Sequence, residues 1–375
     1  MGVIQTKHGS IQTPAFVPVA TKGTLKAIPP KDFKDIGVQV AFVNTFHLTV
    51  HPGVDVIKRF GGIHTYSNFD IPLMSDSAGF QVFSLSNKKT TQRIKGERPL
   101  PVYVQERRMV RAREGEETLL QRIDEKGVKF RSPRDGKMMM FTPEFSMRNQ
   151  EKIGADIIMA FDECIYYGAN REYTKEATER THRWLLRCIK AKKRKDQLLY
   201  GIIQGGIFED LRIESAKFVG KQKVDGIAIG GVSVGETKKE LREQVRWVAP
   251  YLPEDKPVHL LGVGRVEDIL YAVPYGIDTF DCAEPTRLAR NGIVFQKRGK
   301  DFGRIDLTKS PCLNERNPIQ KDCACYTCQN FSISFLHHLF KEHELLGYYL
   351  ATYHNLFMFE QLFYEVRENI AHGKT

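Results

Sequence analysis

The sequence lacks any uninterrupted run of about 18 uncharged apolar residues, the length that a membrane-spanning helix needs. Residues 1–14 also lack the apolar core of a secretory signal peptide. With 41% hydrophobic and 27% charged residues, the composition excludes disordered, collagen-like and fibrous classes. These features predict a globular protein of the cytoplasm with no membrane partner.

Cysteine is scarce, with seven residues in a chain of 375. Three of them, Cys323, Cys325 and Cys328, fall within six positions, which is too dense for a disulfide framework. Three thiolates and one imidazole satisfy a tetrahedral Zn²⁺ ion, and such a closed shell leaves no open position for catalysis. We therefore predict one structural zinc ion per chain.

The histidine that completes this site is open from spacing alone. His354 follows Cys328 after 25 residues, whereas His337, His338 and His343 are nearer in sequence. His337 and His338 lie in an apolar helical pattern, which favours a packing role for both.

Negative charge is outweighed, because 56 lysines and arginines face 45 aspartates and glutamates, a formal net charge of +11. Such an excess favours a polyanionic partner, although a solvated basic surface is an alternative. Nine basic and two acidic residues lie between Lys88 and Arg113. We interpret the region near 88–122 as a basic insertion that is either a solvated loop or a contact for phosphates.

Eight short apolar runs recur along the chain, separated by stretches long enough for helices. The runs span residues 14–19, 40–44, 71–74, 157–161, 198–203, 226–229, 258–261 and 277–280. Helical patterns cover 172–195, 209–219 and 238–248. This alternation predicts parallel strands joined by right-handed crossovers, and eight such units predict an α/β fold of the (β/α)₈ TIM barrel type.

Small or acidic residues follow most of these predicted strands. Asp76, Asp162 and Asp281 come after the third, fourth and eighth runs, and glycine-rich turns follow the fifth, sixth and seventh. In a barrel these positions converge on the mouth where active sites are built. Helix caps and simple turns explain any single case, but the six cases together favour a site.

Six motifs, in their order along the chain, resemble those of bacterial tRNA-guanine transglycosylases. They are Asp76-Ser-Ala-Gly-Phe-Gln81, Phe161-Asp-Glu-Cys164, Gln204-Gly-Gly206, Gly230-Gly-Val-Ser-Val-Gly-Glu236, Phe280-Asp-Cys-Ala-Glu-Pro-Thr-Arg287 and the three-cysteine cluster with His354. The resemblance implies a catalytic barrel over residues 1–300 and a zinc-binding subdomain with C-terminal helices packing on the barrel over 301–375. It also implies a homodimer and names His354 as the fourth zinc ligand.

The family exchanges a guanine in tRNA for a 7-deazaguanine. In bacteria the target is the anticodon wobble guanine of the tRNAs for Asp, Asn, His and Tyr, and the incoming base is the queuosine precursor 7-aminomethyl-7-deazaguanine. Exchange with retention implies two displacements through a covalent ribosyl-enzyme. By resemblance, Asp281 is the nucleophile and Asp76 the general acid/base.

The resemblance also implies the residues that bind the base and the RNA. A carboxylate is a bidentate acceptor that suits the N1–H and exocyclic amine of guanine. The implied base-binding residues are Asp162, Gln204, Gly231, Val232, Phe80, Leu261 and Cys164. Arg287 and Arg290 are candidates for contacts with neighbouring phosphates or bases.

Some positions depart from the family pattern, and they bear on the alternatives. Cys164 and Val234 favour the bacterial reaction over direct use of queuine, whereas Ser233 departs from the usual bacterial loop, and Glu284 stands where an apolar residue is usual. A non-catalytic tRNA-binding subunit, a second alternative, tends to lose the catalytic aspartates, and both are present here. An archaeal-type enzyme would carry extra C-terminal RNA-binding domains, and only about 20 residues follow the zinc histidine.

Overall fold

The computed structural model describes residues 1–79, 119–299 and 301–374. The chain begins with an antiparallel hairpin of β1 (Gly2–Thr6) and β2 (Gly9–Thr13). Ile4 and Ile11 of this hairpin are buried and pack into the cluster that fills the barrel interior. The hairpin therefore closes one end of the barrel, a role that the sequence analysis did not predict.

The centre of the fold is a sheet of eight parallel strands. They are β3 (Ala15–Pro18), β4 (Ala41–Val43), β5 (Leu73–Ser75), β9 (Ile157–Met159), β10 (Leu198–Ile203), β11 (Gly226–Ile229), β12 (Val258–Leu260) and β13 (Thr279–Cys282). β3 pairs with β13, and a parallel bridge between Val19 and Phe42 joins β3 to β4. This arrangement confirms the predicted (β/α)₈ barrel.

The strands are mostly apolar, as expected where both faces of a sheet are covered. One set of side chains fills the barrel interior, and the other packs beneath the surrounding helices. Each predicted run overlaps a strand, but the third ended one residue before Ser75 of β5, and the eighth was placed too early. The prediction ended it at Phe280, whereas β13 continues to Cys282 because Asp281 and Cys282 pair in register with Val17 and Pro18.

Helices surround the sheet. They are α1 (Phe33–Ile36), α2 (Thr45–Val50), α3 (Val54–Arg59), α4 (Ile63–Ser67), α5 (Pro143–Ile153), α6 (Arg171–Ala191), α7 (Glu209–Gly220), α8 (Lys238–Val248), α9 (Val266–Ala272) and α10 (Glu284–Arg290). Thr237 and Glu240 form a capping box that begins α8 at the predicted residue. The prediction carried α6 to residue 195, but it ends at Ala191, and Glu151 instead accepts the backbone N–H groups of Lys193 and Arg194.

Between β5 and β9 the described chain forms a second, antiparallel sheet of β6 (Leu120–Asp124), β7 (Gly127–Arg131) and β8 (Met138–Phe141). Its buried Phe130 and Phe141 pack against each other and against Phe46 of α2. Residues 120–122 of the predicted basic insertion lie in β6, and residues 88–118 of the insertion are outside the described residues.

The C-terminal region begins with a hairpin of β14 (Ile293–Arg298) and β15 (Asp301–Asp306). Three helices follow, namely α11 (Tyr326–Asn330), α12 (Ile333–Lys341) and α13 (Leu345–Ala371). Phe359 and Phe363 of α13 contact the ring of Phe16 in β3, with centroids 4.9 and 6.1 Å away. This last helix therefore packs directly on the barrel. None of the helices in the described part of the chain is long and apolar enough to cross a membrane.

Candidate active site

Asp76, Asp162 and Asp281 all lie at the carboxyl ends of barrel strands. Asp76 follows β5, Asp162 follows β9 by three residues, and Asp281 is within β13 near its end. Since the carboxyl ends of the strands meet at one mouth of a barrel, the three carboxylates share the face where such folds build active sites. Hydrogen bonds join the loops around Asp76 and Asp162, and Asp281 is held separately by groups at the end of β12.

Asp76 is held by donors from the strand-to-helix turn after β4. The amide of Asn44 and the backbone N–H of Thr45 donate to its carboxylate, the latter at 2.8 Å. Asn44 is itself fixed because its Oδ1 caps α2 by accepting the N–H of His47 at 2.9 Å. The sequence did not indicate that Asn44 contributes to the site, because a residue that caps a helix carries no sign that it also binds a carboxylate.

Asp162 is buried and lies at the centre of a polar network. Its two carboxylate oxygens accept from Ser77 Oγ at 2.9 Å and from Gln204 Nε2 at 2.8 Å. Burial raises the pKa of this carboxyl above its usual range, although both donors oppose the shift. A Cβ atom at Gly79 would lie 2.6 Å from the carboxylate, so only glycine fits there.

Gln204 and Gly231 approach closely beside Asp162. While its Nε2 donates to Asp162, Gln204 Oε1 is buried and has no hydrogen-bond partner among the described residues. Gly231 has a φ of +61°, and a Cβ atom there would lie 2.4 Å from that oxygen. The site thus offers an unused acceptor beside a paired carboxylate.

Two buried charged residues that sequence reasoning missed hold the surrounding loops. Arg212 donates to the carbonyl oxygens of Gly206, Gly230 and Gly231 at 2.6 to 2.8 Å, and burial lowers its pKa to about 10. Glu236 accepts the backbone N–H groups of Ser233, Val234 and Gly235, and burial raises its pKa. Glu236 ends a recognised motif, whereas Arg212 sits in an ordinary helical pattern with no signal of its role.

Asp281 is anchored through one oxygen. Its Oδ1 accepts the backbone N–H of Gly262 at 2.7 Å and lies 3.2 Å from Nε2 of the buried His259. The side chain is 14% exposed, so the carboxylate reaches the mouth while remaining fixed. His259 lies inside an apolar run and carried no functional signal in the sequence.

Three further predicted base-binding residues lie after barrel strands at this mouth, namely Cys164 after β9, Val232 after β11 and Leu261 after β12. Val232 and Cys164 are buried, and burial raises the pKa of the Cys164 thiol well above its usual value, so the thiol is neutral. Leu261 is half-buried and packs against the apolar cluster inside the barrel. Phe80 lies outside the described residues.

The predicted RNA-binding arginines lie on α10, directly after the strand that carries Asp281. Arg287 and Arg290 are partly exposed, and Arg290 donates to the carbonyl of Thr286 at 2.8 Å. Glu284, at the start of this helix, is buried and accepts from Arg304 of β15 at 2.7 Å. This ion pair explains a carboxylate for which the sequence suggested no role.

Cys323, Cys325, Cys328 and His354 come together as a buried group that could hold a metal ion. The three sulfur atoms lie 3.9, 3.4 and 3.3 Å from His354 Nδ1. Because His354 Nε2 donates to the carbonyl of Phe295 at 2.8 Å, the Nδ1 lone pair faces the thiols. His337 is not part of this group, and its Nδ1 contacts the carbonyl of Leu307 at 2.6 Å.

Comparison with known proteins gives consistent matches over the whole chain. The family model described as queuine tRNA-ribosyltransferase matches residues 1–115 and 106–375. The queuine tRNA-ribosyltransferase of Herpetosiphon aurantiacus is 44% identical over 369 residues, which cover 98% of this chain and 85% of the relative. A putative queuine tRNA-ribosyltransferase of Archaeoglobus fulgidus is 40% identical over 380 residues, covering 100% of this chain and 93% of the relative. The queuine tRNA-ribosyltransferase of Caldanaerobacter subterraneus is 42% identical over 371 residues, which cover 99% of this chain and 89% of the relative.

Proposed function

This chain belongs to the queuine tRNA-ribosyltransferase family, and we propose on that premise that it is a tRNA-guanine transglycosylase of queuosine biosynthesis. It exchanges guanine at the anticodon wobble position of the tRNAs for Asp, Asn, His and Tyr for 7-aminomethyl-7-deazaguanine. The observation that carries the proposal is the grouping at one barrel mouth of an anchored carboxylate, Asp281, with the buried Asp162–Gln204 pair. The first suits attack on a sugar carbon, and the second suits recognition of a purine edge.

In the proposed reaction Asp281 is the nucleophile. Its Oδ1 accepts the hydrogen bonds from Gly262 and His259, which leaves Oδ2 for the reaction. Oδ2 attacks ribose C1′, and the bond from C1′ to guanine breaks as a covalent ribosyl-aspartate forms. Asp76 donates a proton to the departing guanine. The incoming base then attacks C1′, releases the Asp281 carboxylate and returns its proton to Asp76, so the configuration of the sugar is retained.

The base is held in the proposal by groups beside Asp162. Asp162 accepts from the N1–H and exocyclic amine, Gln204 and the backbone of Gly231 and Val232 contact the remaining polar atoms, and Cys164 lines the pocket. Leu261 and Phe80 stack on the two faces of the base. Burial raises the pKa of Asp162, and in the proposal the two guanine donors oppose that shift by stabilising the carboxylate in place of lost water.

The target nucleotide must leave its stack to reach such a pocket, so the flanking RNA has to be held. We assign Arg287 and Arg290 to phosphates or bases next to the target, because α10 starts just after Asp281. The basic stretch near 88–122 supplies further phosphate contacts in this proposal.

We assign zinc to the Cys323, Cys325, Cys328 and His354 group, because three thiolates and one imidazole are a donor set that this ion favours. With four protein ligands the ion is structural and supplies no reaction chemistry. A homodimer, a cytoplasmic location and a division into a barrel over 1–300 and a zinc-binding region over 301–375 are further proposals that rest on the family resemblance. The proposed boundary at residue 300 falls between β14, which ends at Arg298, and β15, which begins at Asp301.

A side-by-side exchange assay tests the choice of base. Guanine, 7-cyano-7-deazaguanine, 7-aminomethyl-7-deazaguanine and queuine are offered to the enzyme with guanine-labelled tRNA, and release of label is measured. We expect 7-aminomethyl-7-deazaguanine to displace the label with the highest kcat/KM, and a tRNA without the wobble guanine to release none. Preference for queuine would overturn the choice of base. Tight tRNA binding without any exchange would instead favour a non-catalytic partner subunit.

A further inference from the structure

We propose that His259 is a positioning residue that orients the Asp281 carboxylate for attack. This inference rests on the proposed role of Asp281 as the nucleophile. His259 lies in β12 and is completely buried, with its ring stacked on that of Phe42 at a centroid distance of 5.7 Å. An imidazole in the core of an apolar strand is expensive to bury unless both of its nitrogens are bonded.

Both nitrogens of His259 do have partners on the neighbouring strand. Nδ1 lies 2.8 Å from Thr279 Oγ1, and Nε2 lies 3.2 Å from Asp281 Oδ1. Thr279 pairs in register with His259, and Asp281, two residues further along β13, projects from the same face as Thr279. The pairing of the two strands therefore places Thr279, His259 and Asp281 in one hydrogen-bonded chain, the relay.

The relay selects one tautomer of the imidazole. A lone pair on Nε2 would face the carboxylate and repel it, so Nε2 carries the proton and donates to Asp281. Nδ1 then accepts from the Thr279 hydroxyl, which is the one partner in the relay that can donate to it. Thr279 thus favours the tautomer in which the ring donates to the nucleophile.

Two donors, from His259 and from Gly262, now converge on Oδ1 of Asp281. They fix the rotation of the carboxylate and leave Oδ2 to form the bond to C1′. In the ribosyl-enzyme, Oδ1 becomes the carbonyl oxygen of the ester. When the incoming base breaks the bond from Oδ2 to C1′, negative charge returns to the carboxylate, and the same two donors stabilise it.

The test compares kcat and KM of His259→Phe, His259→Gln and Thr279→Val with those of the wild type. His259→Phe keeps a ring of similar size and removes the donor, so kcat should fall about 10- to 100-fold. KM for tRNA should stay within about twofold, because the relay touches no bound RNA. The amide nitrogen of His259→Gln can replace Nε2, and this variant should recover most of the lost rate.

Thr279→Val supplies the second arm. Alone it should lower kcat about 3- to 10-fold, and in the His259→Phe background it should have no further effect, because it acts through the imidazole. Tyr200→Phe is the matched control, since Tyr200 Oη is buried in the same barrel interior and has no hydrogen-bond partner in the described part of the chain. Its exchange rate should equal that of the wild type.

The outcomes separate this inference from the proposed function. A wild-type enzyme that exchanges guanine while His259→Phe keeps full kcat would overturn the positioning role, as would independent, additive losses from His259 and Thr279. A fall caused by misfolding would appear as an equal loss in His259→Gln and a lowered Tm, and it would also count against the role. Absence of exchange in the wild type would refute the proposed function itself.

A separate observation at the opposite end of the barrel supports a second inference. We infer that His8, His64 and Asp156 form a site for a divalent transition-metal ion. His8 lies in the turn between β1 and β2, His64 lies in α4, and Asp156 directly precedes β9. One ligand atom from each lies within 4.8 Å of the others.

The donor set and its surroundings fit such an ion. Two imidazoles and a carboxylate suit Zn²⁺, Ni²⁺ or Co²⁺ better than the oxygen-seeking Mg²⁺ or Ca²⁺. His64 Nε2 is buried, lies 3.1 Å from Asp156 Oδ2, and has no hydrogen bond to a described residue. The N–H of Leu73 donates to the same carboxylate at 2.9 Å and orients it, as outer partners of metal ligands do.

His8 provides access to the site, because its side chain is 30% exposed while that of Asp156 is 1% exposed. Its Nδ1 lies 2.7 Å from Asp156 Oδ1, and its ring stacks on that of His64 at 3.6 Å. His8 lies in the β1–β2 turn, and a rotation of its ring would let one nitrogen of His8 and one nitrogen of His64 bind the same ion. A bound ion would then tie the β1–β2 hairpin to the base of the barrel.

Calorimetric titration of the metal-replete protein with Ni²⁺ tests this site, because the three-cysteine site is then already filled. We expect one Ni²⁺ per chain to bind and Tm to rise with Ni²⁺ concentration. His8→Gln and His64→Gln should each weaken binding by more than about tenfold, whereas His338→Gln, which alters an exposed histidine elsewhere, should bind as the wild type. No binding to the wild type, or unchanged binding in both variants, would show that the cluster is only a hydrogen-bonded contact.

Discussion

Replacing Asp281 by asparagine is expected to lower the rate of guanine exchange about 10⁴-fold or more, because loss of a nucleophile removes the covalent pathway. The substitution keeps an oxygen that can accept from Gly262 and His259, so the anchored geometry described for the wild type is preserved. An amide oxygen is nevertheless too weak a nucleophile to displace guanine. The loss would therefore be chemical and not structural.

Two measurements check this expectation. Incorporation of labelled guanine into tRNA should fall to background, and the complex of protein and tRNA that survives denaturation should disappear. Asp255→Asn, which changes an exposed aspartate away from the mouth, should behave as the wild type in both assays. Exchange at the normal rate by the Asp281 variant would contradict both the role of this residue and the double-displacement mechanism.

Replacing Cys325 by serine is expected to reduce zinc content and to lower the free energy of unfolding by more than about 4 kcal/mol, since a structural metal contributes directly to folding. Cys325 is buried, and its sulfur also caps α11 by accepting the N–H of Cys328 at 3.3 Å. Loss of the ion would also destabilise the packing of α13 on the barrel, because the metal-binding His354 lies within that helix.

Metal analysis and thermal unfolding measure this effect. Cys312→Ser is the matched control, because Cys312 lies in the same region but outside the metal-binding group, and its thiol donates to the carbonyl of Asp306. The control should keep its zinc and lose little stability. A Cys325 variant without metal that unfolds at the wild-type temperature would contradict a structural role for the ion.

The barrel was predictable because its strands are short, apolar and separated by helical stretches. The same reasoning placed the end of the eighth strand two residues too early, since an aspartate inside a strand breaks the apolar pattern that defined the run. It missed the β1–β2 hairpin, in which each five-residue strand contributes just one apolar side chain, Ile4 or Ile11, to the barrel cluster.

The candidate site was only partly predictable, for a different reason. Asp162 and Gln204 were found through motifs, and their contact at 2.8 Å agrees with a shared pocket. Arg212, His259 and Asn44 were missed because their roles depend on partners that the fold brings together from other strands and loops. No local pattern distinguishes a buried arginine that clamps carbonyl groups from one that lies on a helix surface.

The Arg212 clamp has a consequence for how substrate preference can change during evolution. Because one cation beneath the loop holds the carbonyl groups of Gly230 and Gly231, the backbone path there does not depend on the side chains that follow. Val232 can therefore be exchanged without rebuilding the loop, whereas Ser233, with a φ of +58°, favours residues that tolerate a left-handed backbone. The choice of base could thus change through a single substitution while the backbone of the loop stays the same.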